Sequence, residues 1–429
     1  MFGDLLDFYC LFYSILIIST MLAAAEAERL IFTLIDPIQS VESVPLAEAL
    51  GRVLAAPARS ELDFPHWDNS AMDGYAVRSV DAAQVPVTLQ VVSEIPAGMR
   101  PTVAVGAGQA ARILTGAMMP EGADTVVMQE ETARSTEGAK DEVTILTAPK
   151  KGAFVRQQGS FYRAGSVLLE AGRAIAPAQV ALLAAAQQTQ VDVFRQARVA
   201  ILSTGSELVE PGEPLGPGQI VDSNQYALAA LVAQSGAVPV SLGIVPDNRA
   251  AVKAAIALAL SQSDMVLSSG GVSVGDYDYV DAVLEELGAT LHIRSVAVKP
   301  GKPLTVATAN REVGRQLYFG LPGNPASAMI GFWRFVAPAI QRLSGVKGPL
   351  SLPFVWASAA NELTAGGQRE TYVWGELKAT DSGYVFASAA GGHSSGNLVN
   401  LANTSGLGVV PVGQTRIEPG EPVRVLVCR

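Results

Sequence analysis

The spacing of apolar residues changes repeatedly along this chain, and each change of period marks a change of domain. From Val44 to Leu54, residues Leu46, Ala49, Leu50, Val53 and Leu54 share one helical face that Pro57 ends, which predicts a helix in need of a partner. The following hundred residues carry short β-rich runs at Thr88–Ile95, Ala111–Leu114, Thr125–Gln129 and Val143–Leu146, separated by Gly and Pro turns, so a mainly β domain is expected over 58–159. Helical spacing returns at Pro177–Gln188, with Pro at a first-turn position. This helix is expected to pack on the N-terminal one, making 29–57 and 160–197 a single discontinuous linker domain.

Over 198–344 strands and helices alternate: strands Val199–Leu202, Val238–Val245, Met265–Leu267, Leu291–Val298, Leu304–Thr308 and Leu317–Leu321, with helices Asn224–Gln234, Asn248–Leu260, Tyr279–Leu287 and Ala326–Leu343. Repeated strand–helix units with apolar strands predict a doubly wound, mostly parallel α/β domain covered on both faces. The last stretch, 345–429, shows no helical period but strand-like runs at Thr371–Leu377, Tyr384–Ala387, Gly408–Val412 and Val423–Val427, which predict a small β-barrel or sandwich. The expected architecture is therefore multidomain α/β plus β.

Composition narrows the functional classes. A chain of 429 residues with 49% hydrophobic and 16% charged residues has the material for several folded cores. A net charge of −10 excludes a broad nucleic-acid footprint, which needs Lys and Arg to displace counterions. Cys10 and Cys428 stand at opposite ends and His66, His292 and His393 are scattered, so neither a disulfide framework nor a sequence-local zinc site is expected. The uncharged run Phe8–Ala25 is long enough for a membrane span, yet Asp4 and Asp7 precede it and no basic residue appears before Arg29. Residues 1–28 are accordingly read as an extension from a misassigned start, with an anchor or a buried helix as alternatives, and the protein is expected in the cytoplasm without stable membrane association.

In an open α/β sheet, ligands bind beyond the carboxyl ends of the strands, where loops meet helix N-termini. Polar loops stand at those positions here: Ser203-Thr204-Gly205-Ser206-Glu207, Pro246-Asp247-Asn248, the run Ser268, Ser269, Gly270, Gly271, Val272, Ser273, Val274, Gly275, Asp276, then Lys299-Pro300-Gly301-Lys302-Pro303 and Pro322-Gly323-Asn324-Pro325. Glycine backbone and Ser hydroxyls suit an oxyanion, Lys299 and Lys302 add positive charge, and Glu207, Asp247, Asp276 and Asp278 offer hard oxygen ligands to Mg²⁺. Plainer roles compete at each position: Asp247 could cap a helix, Glu207 could be solvated, and Pro322 and Pro325 could only shape a turn. Gly270 and Gly275 have P-loop spacing, but Asp276-Tyr277 replaces the Lys-Ser/Thr pair, which excludes a nucleotide-triphosphatase loop.

A second constellation, Asp68-Asn69-Ser70-Ala71-Met72-Asp73-Gly74-Tyr75-Ala76-Val77, packs carboxylates, an amide and a hydroxyl into one loop of the β-rich domain. Thr115-Gly116 and Pro120-Glu121-Gly122-Ala123-Asp124 form another tight loop, and together they look like the opposite wall of a cleft.

Read in order, DNSAMDGYAV, TGAMMPEGADTVVMQE, STGSEL, SSGGVSVGDYDYV, VKPGKPL and GLPGNPASA resemble the molybdopterin molybdenumtransferase family over nearly all of the chain after Met21. The resemblance implies an enzyme that inserts molybdate into adenylylated molybdopterin in a Mg²⁺-dependent step with release of AMP. It also implies an elongated homodimer in which the α/β domain of one subunit faces the β-rich domain of the other, working alongside a molybdopterin adenylyltransferase and molybdoenzyme maturation proteins. Carried over by motif, Asp68, Thr115, Glu207, Asp247, Asp278, Lys299, Pro322 and Pro325 are the functional positions, with Arg156 and Ser395 as outer contributors.

The chain departs from the family pattern in two places. Ser160-Phe161 follow Gly159 where Glu-Asp is usual, and Ser295, beside Arg294, stands where a lysine is usual. Arg294 is the nearest substitute, although adjacent strand positions face opposite ways. Two other readings compete: a molybdopterin adenylyltransferase, which would not need the Asp68 loop or the β-rich segments around it and which those segments decide against, and a carrier or scaffold that binds cofactor precursors without turnover, which remains open at this stage.

Overall fold

The computed structural model describes residues 21–135, 141–271, 279–312, 314–350, 352–391 and 393–428. Most of the run Phe8–Ala25, together with Cys10, lies outside them. Part of the segment read as an extension is built into the fold: Leu22 bridges to Val296, and the helix Ala24–Thr33 buries Ala24, Ala27 and Ile31. Those side chains join the core of the α/β domain. Glu28 on this helix forms an ion pair with buried Arg334 at 2.6 Å.

The linker domain forms from both expected stretches, with one correction. Val44–Leu54 is not a helix. Val41–Pro45 is a strand paired antiparallel with Gln190–Phe194, followed by a short 3-10 turn, Leu46–Glu48. Helical periodicity was misleading because a distant strand supplies hydrogen-bond partners to Val41–Pro45, while Gly51 turns the chain at φ +76°. Ala49 and Leu54 are buried as the pattern suggests, whereas Leu50 is 59% exposed. The helix Pro177–Ala185 places Leu183 in the same core as Val44, Leu54 and Val193.

In the β-rich domain, one six-stranded sheet runs in the order Thr125–Met128, Gly74–Val77, Gln109–Ile113, Val87–Ile95, Glu142–Ile145, Thr132–Ser135. Its second strand emerges directly from the Asp68 loop and is buried along its whole length.

The α/β sheet has the order Val238–Val245, Arg198–Thr204, Met265–Ser269, Arg315–Leu321, Pro303–Asn310, Thr290–Ser295. Its first four strands are parallel neighbours, and Pro303–Asn310 runs antiparallel to the strands on both sides. Alternation divides the side chains between two cores: Val199, Ile201 and Leu267 face one, Ala200, Leu202 and Val266 the other. The last helix is interrupted by a π turn, Phe332–Val336, between Pro325–Gly331 and Ala337–Leu343, because Pro338 has no N–H to give the preceding turn.

The C-terminal domain closes as a barrel. Strands Glu370–Thr380, Gly383–Ser388, Phe354–Ala359, Pro422–Val427 and Gly406–Val410 follow one another, and the last pairs back onto the first. The strand expected over Leu291–Val298 stops at Ser295, and the separate pair Val298–Lys299 runs parallel to Glu370 and Thr371 of the barrel. No described helix is long and apolar enough to cross a membrane.

Candidate functional site

A cleft of about 1000 Å³ opens at the carboxyl ends of the parallel strands. Thr204, Glu207, Asp247, Ser269, Gly270, Gly271, Lys299, Lys302, Pro322, Gly323, Asn324, Pro325 and Ser395 all line it, although Ser395 comes from the C-terminal domain. Ser203 and Gly205 flank Thr204 in the same loop but do not line the cleft, and Ser203 is buried. Ser273, Gly275, Asp276 and Asp278 lie outside the described residues.

Close packing of the loops explains the glycines. A Cβ on Gly270 would sit 2.3 Å from the Thr204 carbonyl oxygen, and one on Gly271 would sit 2.8 Å from Thr204 Oγ1. Only glycine lets these two turns touch, and both have positive φ. Asn224 Nδ2 donates to Ser269 Oγ at 2.6 Å and to the Gly323 carbonyl at 2.8 Å, tying two of the loops to a helix N-terminus.

Asn248, not Asp247, caps the helix Arg249–Gln262, accepting the Ala251 N–H at 2.8 Å. Asp247 is thereby free to face the cleft, held by the Ser206 N–H at 3.2 Å. Pro325 both starts its helix and lines the cleft.

Sequence reading missed Asp222, Asn224 and Arg369. Buried Asp222 accepts the N–H groups of Asn224 and Gln225 with Oδ1, while its Oδ2 has no partner among the described residues. Thr204 Oγ1 is likewise unpartnered, and both residues line the cleft. Both oxygens are themselves buried, so they lie behind the surface of the cleft wall. An Asp two residues before a predicted helix was the available signal. Nothing local in the sequence points to Arg369, which the barrel brings to the cleft with Nη1 3.2 Å from the Val298 carbonyl.

Asp68, Thr115 and Arg156 do not line this cleft. They belong to the β-rich domain, where Asp68 accepts the Gln158 N–H at 2.7 Å and Arg156 stands opposite Asn69. Thr115 donates from Oγ1 and its N–H to Asp73, and these bonds hold the Asp73 carboxyl below its ordinary range. The loops of the α/β domain thus share one mouth, and the Asp68 constellation stands apart from it on the β-rich domain of the same chain. At the departure from the family pattern, Phe161 is 63% exposed and packs against Phe64 at 5.7 Å. Arg294 does not replace the missing lysine: it is paired with Asp281 and Glu285 beside the helix Val280–Glu286.

None of the histidines lines the cleft. His66 bonds the Asp63 carbonyl and His292 the Thr308 hydroxyl, and burial lowers the His292 and His393 pKa values. Among the described residues no group of three His, Cys, Asp or Glu could enclose a metal. Mg²⁺ needs no such cage, since one or two carboxylates plus substrate phosphates commonly hold it, and Glu207 with Asp247 fits that donor set.

Acidic and lysine-bearing loops meet on one cleft at the rim of the mostly parallel sheet, which places the chain among multidomain α/β proteins. Comparison with known proteins identifies its family. Residues 22–186 match the MoeA N-terminal region (domain I and II), 200–342 the probable molybdopterin binding domain, and 357–428 the MoeA C-terminal region (domain IV). A molybdopterin molybdenumtransferase of Nostoc sp. is 53% identical over 95% of this chain and 94% of its own length, and that of Haemophilus influenzae 35% over 90% and 93%. The solved structure of a molybdopterin biosynthesis moeA protein from Pyrococcus horikoshii OT3 shares 28% identity at a TM-score of 0.80, covering 95% of this chain and all (100%) of its own. The chain belongs to the MoeA family of molybdopterin molybdenumtransferases.

Proposed function

We propose that this protein inserts molybdate into adenylylated molybdopterin with release of AMP, as a cytoplasmic enzyme of molybdenum-cofactor biosynthesis. The observation that carries the reading is the meeting of Lys299, Lys302, the Gly270-Gly271 turn, Glu207 and Asp247 on one cleft. Lys299 and Lys302 neutralise phosphate, and the glycine turns admit an oxyanion to backbone N–H groups. Glu207 and Asp247 would hold Mg²⁺, which when bound offsets the negative charge of the phosphates. The pterin dithiolate binds the molybdenum, so a cleft without Cys or His suits this chemistry. The matched regions on both sides of the α/β domain decide against an adenylyltransferase, which needs that domain alone.

The Asp68, Thr115 and Arg156 constellation acts across a homodimer, facing the cleft of the partner subunit. Its polar groups stand away from the cleft of their own chain, which supports that placement. The substrate comes from a molybdopterin adenylyltransferase and the product goes to proteins that mature molybdoenzymes.

Purified protein, adenylylated molybdopterin, Mg²⁺ and molybdate should release AMP in step with molybdenum incorporation. Tight binding without AMP release would instead establish a carrier. Mixing Asp68→Ala with Glu207→Ala protein should restore activity if one cleft draws on two subunits; no recovery in verified mixed dimers would refute the shared site.

A further inference from the structure

Aromatic rings gather beside Asp68, where the β-rich domain joins the linker domain. Phe64 lies at the centre, with its ring centroid 5.4 Å from Tyr162 and 5.7 Å from both Phe161 and His66, and His66 lies 5.7 Å from Trp67. The two ends of this row reach solvent: Phe161 is 63% exposed and Trp67 43%. Backbone bonds tie the two segments together, from the Phe161 N–H to the Phe64 carbonyl at 3.0 Å and from the Gly159 N–H to the Pro65 carbonyl at 2.9 Å. The rings are therefore set in place.

Single apolar side chains at a surface are ordinary, but rings that touch one another and still face water form a patch, and such patches mark contact with another molecule. The neighbours of this one narrow its chemistry. Asp68 directly follows Trp67 and is exposed; its Oδ1 accepts the Gln158 N–H at 2.7 Å, and its Oδ2 has no hydrogen-bond partner among the described residues. A ring face beside a carboxylate fits a flat heterocycle whose edge carries N–H and amino donors, because the face stacks while the edge donates. A pterin is such a ring. The main cleft has the complementary lack: among the described residues no Phe, Tyr or Trp lines it, whereas two lysines and an arginine do. A substrate with phosphate at one end and a pterin at the other finds charge on one constellation and stacking on the other.

We propose that Phe161 and Trp67 form a stacking platform for the pterin ring of the substrate, with Asp68 receiving its donor edge. The proposal rests on the reading that the substrate spans the two constellations, and it assigns the pterin end to the β-rich one. Phe161 stands where the family usually has a carboxylate, so this chain offers a ring face there in place of a charge.

The test is titration of the full-length protein with free pterin, followed by its fluorescence, and separately with AMP by calorimetry. Pterin should bind, and Phe161→Ser and Trp67→Ala should each weaken it about tenfold while AMP affinity stays within about twofold of wild type. Phe161→Tyr keeps a ring and should hold pterin as wild type does. Both side chains are exposed, so thermal unfolding should move little in any of the three variants. Pterin binding that depends on the two rings in a protein that does not bind AMP would support the platform and overturn the phosphate reading of the cleft. Wild-type pterin affinity in both ring-deleted variants, or normal AMP binding with no pterin binding, would overturn the platform alone. Failure to bind either compound would overturn both. A dimer that falls apart in Phe161→Ser with pterin affinity unchanged would assign the ring to contact with a second copy of this chain instead.

Discussion

Asn224 and Ser269 lie 2.6 Å apart, amide nitrogen to hydroxyl, and the same nitrogen also reaches the Gly323 carbonyl. One buried side chain therefore sets the spacing of two cleft loops. Asn224→Ala should cost about 1–3 kcal/mol by leaving buried groups unpaired, read from urea denaturation. The insertion rate should fall further than stability alone explains. Wild-type stability and rate together would show that the tie is dispensable.

Glu207 is exposed, and the Asp247 carboxylate accepts the Ser206 N–H. Alanine at Glu207 should shift stability by no more than about 0.5 kcal/mol while lowering AMP release about 100-fold. The Mg²⁺ concentration needed for half-maximal rate should rise in Asp247→Ala. A rate and Mg²⁺ requirement matching wild type in both variants would remove these carboxylates from the mechanism.

How far the sequence reaches can be judged residue by residue. Strong two-sided strands such as Met265–Ser269 declare themselves, because both faces are covered and every residue is apolar or small. Parallel strand ends make the loops of Glu207, Asp247, Ser269 and Pro322 legible as one rim from the sequence alone. Contacts between distant segments were not legible. Val44 needed Val191 to become strand rather than helix, and Arg369 reaches the cleft only because the barrel docks there. Asp68 illustrates the converse: its motif is unmistakable, yet its own chain does not bring it to the cleft.

Asp264 links the domains at the opposite end of the sheet, bonding Arg195, the Arg198 N–H and Arg311. Burial alone would raise its pKa, but these hydrogen bonds and charges prevail and hold it below the ordinary carboxylate value. A depressed folded-state pKa gives stability that is present above about pH 4 and is lost as pH falls through the folded value. Asp264→Asn should destabilise by about 2–3 kcal/mol at pH 7 and flatten the acid limb of the stability profile. An acid limb unchanged by the substitution would assign it to other groups.

Glu28 answers Arg334, which is buried between the N-terminal helix and the barrel and also bonds Tyr372 at 3.0 Å. Glu28→Ala should cost about 3–5 kcal/mol, because a desolvated guanidinium loses its counter-charge. Replacing both residues, as Glu28→Leu with Arg334→Met, should recover most of that loss. A double variant as unstable as the single one would mean the pair contributes more than charge balance.

Lys299 shares its two-residue strand with Val298, and that strand is stitched to Glu370 and Thr371 of the barrel. The ammonium group is therefore aimed from outside the sheet whose loops it completes. Any swivel of the C-terminal domain drags this cation with it, together with Arg369 and Ser395, so the barrel's docking angle acts as a rudder for the positive side of the cleft.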